Sequence, residues 1–294
     1  MSILRFITRR VIAVVIVVFI LVSVVFVLFR VMPMDPAVSV IHAPMTPEMK
    51  EMLQERFGLE RPLGEQYLIY LKNVPYRDFG FSFYQLEDTQ VILDERLIPT
   101  VILIGIALII AMTLEYLAEV LFLRKSAGVN TLFYLIPFLW LGLLFLYFFS
   151  YKLDMFPIGG MKTPEIWEFD TATGSRLTDV IHHLILPLVV MVIWFFIGFV
   201  PLVKAISRGV ISEKKTLLPV GLTTVVAASF LFFGAIVTET TFSWPGVHSL
   251  FVASCITYDY PLVQGAVIMG GLFALVVTVC VEVFYALVAV RHEI

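Results

Sequence analysis

Six apolar runs divide the chain, at roughly Val11–Met32, Thr100–Leu123, Leu132–Tyr151, His183–Val203, Leu217–Val237 and Ala266–Val290. At 1.5 Å per residue each run covers about the 30 Å of bilayer hydrocarbon, so each is predicted to be a membrane-spanning helix. The polar positions between them set the orientation. Arg5, Arg9, Arg10, Arg124, Lys125, Lys204, Arg208, Lys214, Lys215 and Arg291 flank one side, against Lys152, Lys162 and Arg176 on the other. Basic residues stay in the cytoplasm, which places both termini inside. The first run resembles a signal peptide because arginines precede it. Its 19 uncharged residues, Val11–Phe29, exceed the usual cleaved core and no small-x-small site follows, so it is expected to be retained.

The stretch 33–98 is the only soluble-looking part and is expected outside. Thr46 can cap a helix with Pro47 in its first turn and Glu48 at the positive dipole end. Met49, Met52, Leu53 and Phe57 then share a face, and Gly58 ends it. A second short helix is predicted over Leu63–Asn73, with Tyr67, Tyr70 and Leu71 on one side. Two such helices fit a cap on the outer mouth of a bundle, and the stretch is too poor in apolar clusters for a core of its own. The organisation expected is an N-terminal transmembrane helix (1–32), an extracytoplasmic helical insertion (33–98) and a five-helix core (99–294). The class is an all-α membrane protein.

Composition agrees. Sixty per cent of residues are hydrophobic and 15% are charged, more apolar surface than a soluble domain can hide. A formal charge of −3 gives no reason to expect nucleic acid as a partner. Cys255 and Cys280 read as packing residues. Three acidic residues fall in apolar runs. Glu115 and Glu119, at i and i+4, read first as interfacial or inter-subunit carboxylates, and second as a transport or proton site. Glu282 is expected to face protein in a hydrogen bond or ion pair. The vicinal His182 and His183 point their rings about 100° apart on a helix and suggest a capping or interfacial role, not metal binding. No Gly-x-x-x-x-Gly-Lys-Ser/Thr loop is present, and no Ser/His/Asp set has credible geometry. No catalytic, cofactor or metal residues are assigned, and the chain is not expected to be an enzyme.

The loop between the last two runs carries no Lys or Arg. It reads Glu239-Thr-Thr-Phe-Ser-Trp-Pro-Gly246, then Tyr258-Asp-Tyr-Pro-Leu-Val-Gln-Gly265. This pair of motifs resembles the B-type permease subunit of dipeptide/oligopeptide/nickel ABC importers. The resemblance extends through Pro33-Met-Asp-Pro36, Gly58-Leu-x-Arg-Pro-Leu63, Asp78-Phe-Gly80, Arg96-Leu-x-Pro-Thr100, Ile136-Pro-Phe-x-x-Leu-Gly142, Phe156-Pro-x-Gly159 and His183-Leu-Ile-Leu-Pro187. It implies six transmembrane helices in a type I importer permease-like fold, in a bacterial or archaeal plasma (inner) membrane. It implies as partners a paralogous permease subunit, ABC ATPase subunits inside and a solute-binding protein outside. Glu239, Phe242, Trp244, Pro245, Gly246, Asp259 and Pro261 become candidates for an outer loop or gate. Glu239 reads equally as part of that gate or as a helix-end residue.

The chain departs from the family on the cytoplasmic side. The family's coupling loop between the fourth and fifth spans is reduced to 204–216. Lys204, Arg208, Glu213, Lys214 and Lys215 are its residual polar positions. Two readings follow: a permease subunit importing peptides or similar small solutes, or a permease-derived, non-transporting structural subunit of a larger membrane complex.

Overall fold

The computed structural model describes residues 3–31, 61–82, 84–122, 138–169, 173–203 and 217–292. Helix α1 spans Ile3–Val31. Its Val and Ile residues are mediocre helix formers in water. In lipid, backbone groups have no water to pair with, so the helix forms regardless. Helix α2, Leu63–Asn73, has the bounds predicted and ends where Val74-Pro75-Tyr76 tightens into a 3-10 turn. The hairpin β1 (Phe81–Ser82) and β2 (Glu87–Asp88) follows, antiparallel, with Phe81 opposite Asp88. Helix α3 covers Thr89–Phe122. Helix α4 covers Phe138–Phe145 and continues as a π-helical turn, Leu146–Lys152. The short α5 is Pro164–Phe169. Helix α6 runs Thr173–Trp194, passes through a π-helical turn, Phe195–Phe199, and ends at Val203. Helices α7 (Leu217–Thr241), α8 (Val247–Ile256) and α9 (Tyr260–His292) complete the described chain.

Among the described residues five helices are long and apolar enough to cross a membrane: Thr8–Phe29, Thr89–Ala118, Thr173–Val203, Gly221–Thr241 and Tyr260–Tyr285. The expected third span is described only from Phe138, as a shorter apolar helix. The first short helix expected in the insertion and the residual cytoplasmic loop (Lys204, Arg208, Glu213, Lys214, Lys215) lie outside the described residues.

Three expectations about element ends change. Helix α3 begins at Thr89, not Thr100, so it runs across the boundary placed at 98. Asp94, Glu95 and Arg96 interrupt the apolar pattern there, yet Ile92 and Leu93 are buried in the core while Asp94 takes an ion pair from Arg77. Helix α6 begins at Thr173, so His182 and His183 lie well inside it instead of at its start. The loop after α7 contains a full helix, α8.

Two buried clusters hold the bundle together. The larger joins Leu103, Ala107 and Ala111 of α3 to Met191, Phe195 and Phe199 of α6, Ala227 and Leu231 of α7, and Ala274 of α9. The second lies toward the other end. It gathers Val22, Val25 and Phe29 of α1, Phe79, Leu93, Leu250 of α8, and Leu262 and Ala266 of α9.

Candidate functional site

Between α7 and α9 the chain turns back into the protein. Ser243 takes a left-handed φ of 50°, and the Trp244 amide donates to the Glu239 carbonyl at 2.8 Å, closing the turn. The Trp244 indole is completely buried and donates to the Pro99 carbonyl of α3 at 2.9 Å. The turn is thereby bolted to the second span.

Helix α8 then starts at Val247 with its first-turn amides aimed at two side chains. Val247 N–H donates to Thr100 Oγ1 at 2.8 Å, and His248 and Ser249 N–H donate to Glu239 Oε2 at 2.8 and 2.9 Å. The Thr100 hydroxyl donates to Glu239 Oε1 at 2.8 Å, and His248 Nδ1 lies 3.1 Å from the same oxygen. The amide of Leu250 returns to the Gly246 carbonyl. Every orphan donor of the helix start thus has a partner, and a carboxyl group sits at the positive end of the helix dipole. The N-cap residue, Gly246, contributes no side chain. A Cβ there would lie 2.2 Å from the Glu239 carboxyl, so glycine is required for space and not for an unusual φ. The Glu239 carboxyl, Thr100 and His248 are fully buried.

Of the seven outer candidates, Glu239, Trp244 and Gly246 converge on this knot. Phe242 points away from it, packing with Phe138, Leu186 and Val190, while its carbonyl accepts the Gly160 amide at 2.9 Å. Pro245 and Pro261 are half-buried. Asp259 forms a second anchor at the start of α9. Its carboxyl accepts the Ser82 hydroxyl of β1, and the Leu262 amide approaches at 3.4 Å. Burial pushes its pKa above the usual carboxylate range, with the Ser82, Leu262 and Tyr84 hydrogen bonds pulling partly back. The Glu239 carboxyl caps α8 from the end of α7 and faces no solvent. Thr100 and His248 are members of the knot that sequence reasoning did not select. The signal available was their position, one directly after Pro99 and the other two residues after Gly246.

The intramembrane acids separate. Glu282 lies 3.1 Å from Arg10 Nε, both fully buried, and Arg10 and Glu282 each reach Thr224 Oγ1. Arg10, counted above as a cytoplasmic flank, is therefore an interior strut. Glu115 is half-buried on α3; Glu119 follows one turn on, and its side chain lies outside the described residues. His182 Nε2 meets the Met155 carbonyl at 2.8 Å, and His183 Nδ1 meets the Asp179 carbonyl at 2.9 Å. No group of three or more His, Cys, Asp or Glu capable of holding a metal occurs among the described residues.

The knot is a frame that ties α3 to α7 through the helix α8. Comparison with known proteins places it. Residues 3–104 match the N-terminal family "Binding-prot-dependent transport system membrane comp" and residues 214–293 match "Binding-protein-dependent transport system inner membrane component", together well over half of the chain. A peptide permease protein of Brucella suis biovar 1 is 27% identical over 92% of this chain and 93% of its own length. The oligopeptide transport system permease protein AppB of Bacillus subtilis is 26% identical over 91% and 92%. The di/tripeptide transport system permease protein DppB of Pseudomonas aeruginosa is 26% identical over 91% and 93%. The chain belongs to the inner-membrane permease components of binding-protein-dependent ABC importers.

Proposed function

We propose that the chain forms one half of the membrane passage of an ABC importer for peptides. A paralogous permease is the other half, ABC ATPases bind inside, and a solute-binding protein delivers from outside. The carrying observation is near-full-length similarity to relatives named as peptide permeases. The capped re-entrant α8 supports it, because it uses the stretch that carries the family motifs to build a fixed outer frame. Both termini are placed in the cytoplasm on the distribution of basic residues, with Arg10 no longer counted. The scaffold reading rested on the short stretch 204–216, which lies outside the described residues, and nothing described favours it. The chain carries peptide across; hydrolysis belongs to its partners.

The test is to purify the assembled complex, reconstitute it in vesicles with ATP inside, and follow labelled di- and oligopeptides. ATP-dependent accumulation is expected. A complex that holds no ABC ATPase, or one that hydrolyses ATP and accumulates no peptide, would refute the assignment.

A further inference from the structure

Past α4 the chain folds back across the bundle. The Met155 amide donates to the Phe149 carbonyl at 2.9 Å, and the Ser150 hydroxyl donates to the Pro157 carbonyl at 3.1 Å. Phe156 then joins the cluster of Phe138, Leu186 and Phe242. Gly159 and Gly160 lie on the turn that follows α7. The Gly160 amide donates to the Phe242 carbonyl, and a Cβ on Gly159 would stand 2.9 Å from that oxygen and 3.3 Å from Ser243 Cβ. Met161 packs on the larger core cluster.

The next stretch is fastened to α6 chiefly by one carboxylate. Asp179 Oδ2 accepts the Thr163 amide at 2.9 Å and the Trp167 indole N–H at 3.0 Å, while Oδ1 accepts the Thr163 hydroxyl at 2.6 Å. Arg176 donates to the Trp167 carbonyl at 3.1 Å, and its guanidinium stands 5.1 Å from the indole ring. Helix α5 has six residues, too few to hold a helix alone, so its place depends on these contacts.

Two features make this segment separable from the bundle. Every residue from Tyr151 to Glu168 is exposed or half-buried, so lifting the segment empties no buried site. Asp179 is buried, but the donors on its carboxyl come from the segment itself. On release, water replaces them, and the exchange of one set of hydrogen bonds for another is nearly balanced.

We propose that residues 156–167 form a lid over the outer seam between α6 and α7, latched by Asp179 and lifted during transport. Lifting it uncovers the Leu186/Phe242 cluster and the turn at Ser243 that leads into the Glu239 knot. The role in transport rests on the importer reading; the latch does not. All three latch partners are donors, so position 179 needs a group that only accepts; an amide would turn its NH2 against them.

The test uses the assembled complex in vesicles, with ATP inside and a membrane-impermeant maleimide outside, in a Cys255→Ser/Cys280→Ser background. Single cysteines are placed at Met161→Cys or Phe156→Cys on the lid's inner side, Glu165→Cys on its exposed side and Ala235→Cys in the bundle core. Labelling at 161 and 156 should be slow at rest and rise several-fold with Asp179→Asn. Thr163→Val, which removes only the hydroxyl donor, should give a smaller rise. Position 165 should stay fast and position 235 unreactive throughout. With Asp179 in place, peptide-loaded binding protein should speed labelling at 161. Equal rates with and without Asp179→Asn, or a parallel rise at 235, would overturn the latch. A rate at 161 that stays flat while peptide accumulates would overturn the lid. Vesicles that accumulate no peptide would refute the importer reading instead, and the comparison at rest still decides the latch.

Discussion

At the scale of single residues, the outer frame depends on the space of one missing Cβ. Gly246 leaves room for the Glu239 carboxyl to reach the amides of His248 and Ser249. Gly246→Ala forces the carboxyl out or distorts the turn, an overpacking cost of about 1–3 kcal/mol. A fall in melting temperature of the purified protein checks this; an unchanged melt would show that the turn yields without loss. Asp259 titrates against the fold. Because burial raises its folded-state pKa, its contribution to stability is complete below the unfolded value of about 4 and is lost as pH rises through the raised value. Proteolytic protection of the hairpin around Ser82 should therefore weaken from acid toward neutral pH. Asp259→Asn should flatten that dependence, and a slope that survives the substitution would assign it to another group.

At the scale of elements, α6 and α7 are joined by reciprocal insertion. Trp194 of α6 lies where a Cβ on Gly234 of α7 would be, 2.1 Å from its Nε1. Phe230 of α7 lies where a Cβ on Gly198 of α6 would be, 2.2 Å from its Cζ. The two rings stack at 4.2 Å and 6°, and Phe138 of α4 adds a third ring 4.2 Å from Trp194. Gly234→Ala should destabilise by about 1–3 kcal/mol, and Trp194→Phe should recover part of that loss by shrinking the ring. A double-mutant cycle measures the coupling; strictly additive effects would mean that the two sites are independent. The same scale explains what could be read in advance. Helix α2 was legible because Pro62 precedes it and Val-Pro ends it. The early starts of α3 and α6 were not, because charged and small polar residues hide a helix whose buried face is set by tertiary packing. Helix α8 was missed because its capping carboxyl comes from Glu239, outside the helix and two residues before the preceding helix ends, while the cap position itself is a bare glycine. A local pattern cannot show a cap that arrives through space.

At the scale of the whole molecule, the first and last helices are tied by the Arg10–Glu282 pair, with Thr224 of α7 between them. A count of flanking charges treats Arg10 as a topology marker, but its charge is compensated inside the protein. Removing one partner leaves the other buried without compensation, which costs about 3–5 kcal/mol. Arg10→Met should sharply reduce the folded yield and melting temperature. Replacing both with apolar residues of similar volume removes the desolvation cost together with the attraction, so Arg10→Met/Glu282→Met should regain most of what the single variant loses. Helix α1 packs against α7 and α9 along its length, and Val22, Val25 and Phe29 give it an apolar seat that needs no ion pair. A double variant no better than the single would mean that Arg10 serves the fold through its flanking charge after all, acting on the orientation of α1 during insertion instead of on its packing afterwards.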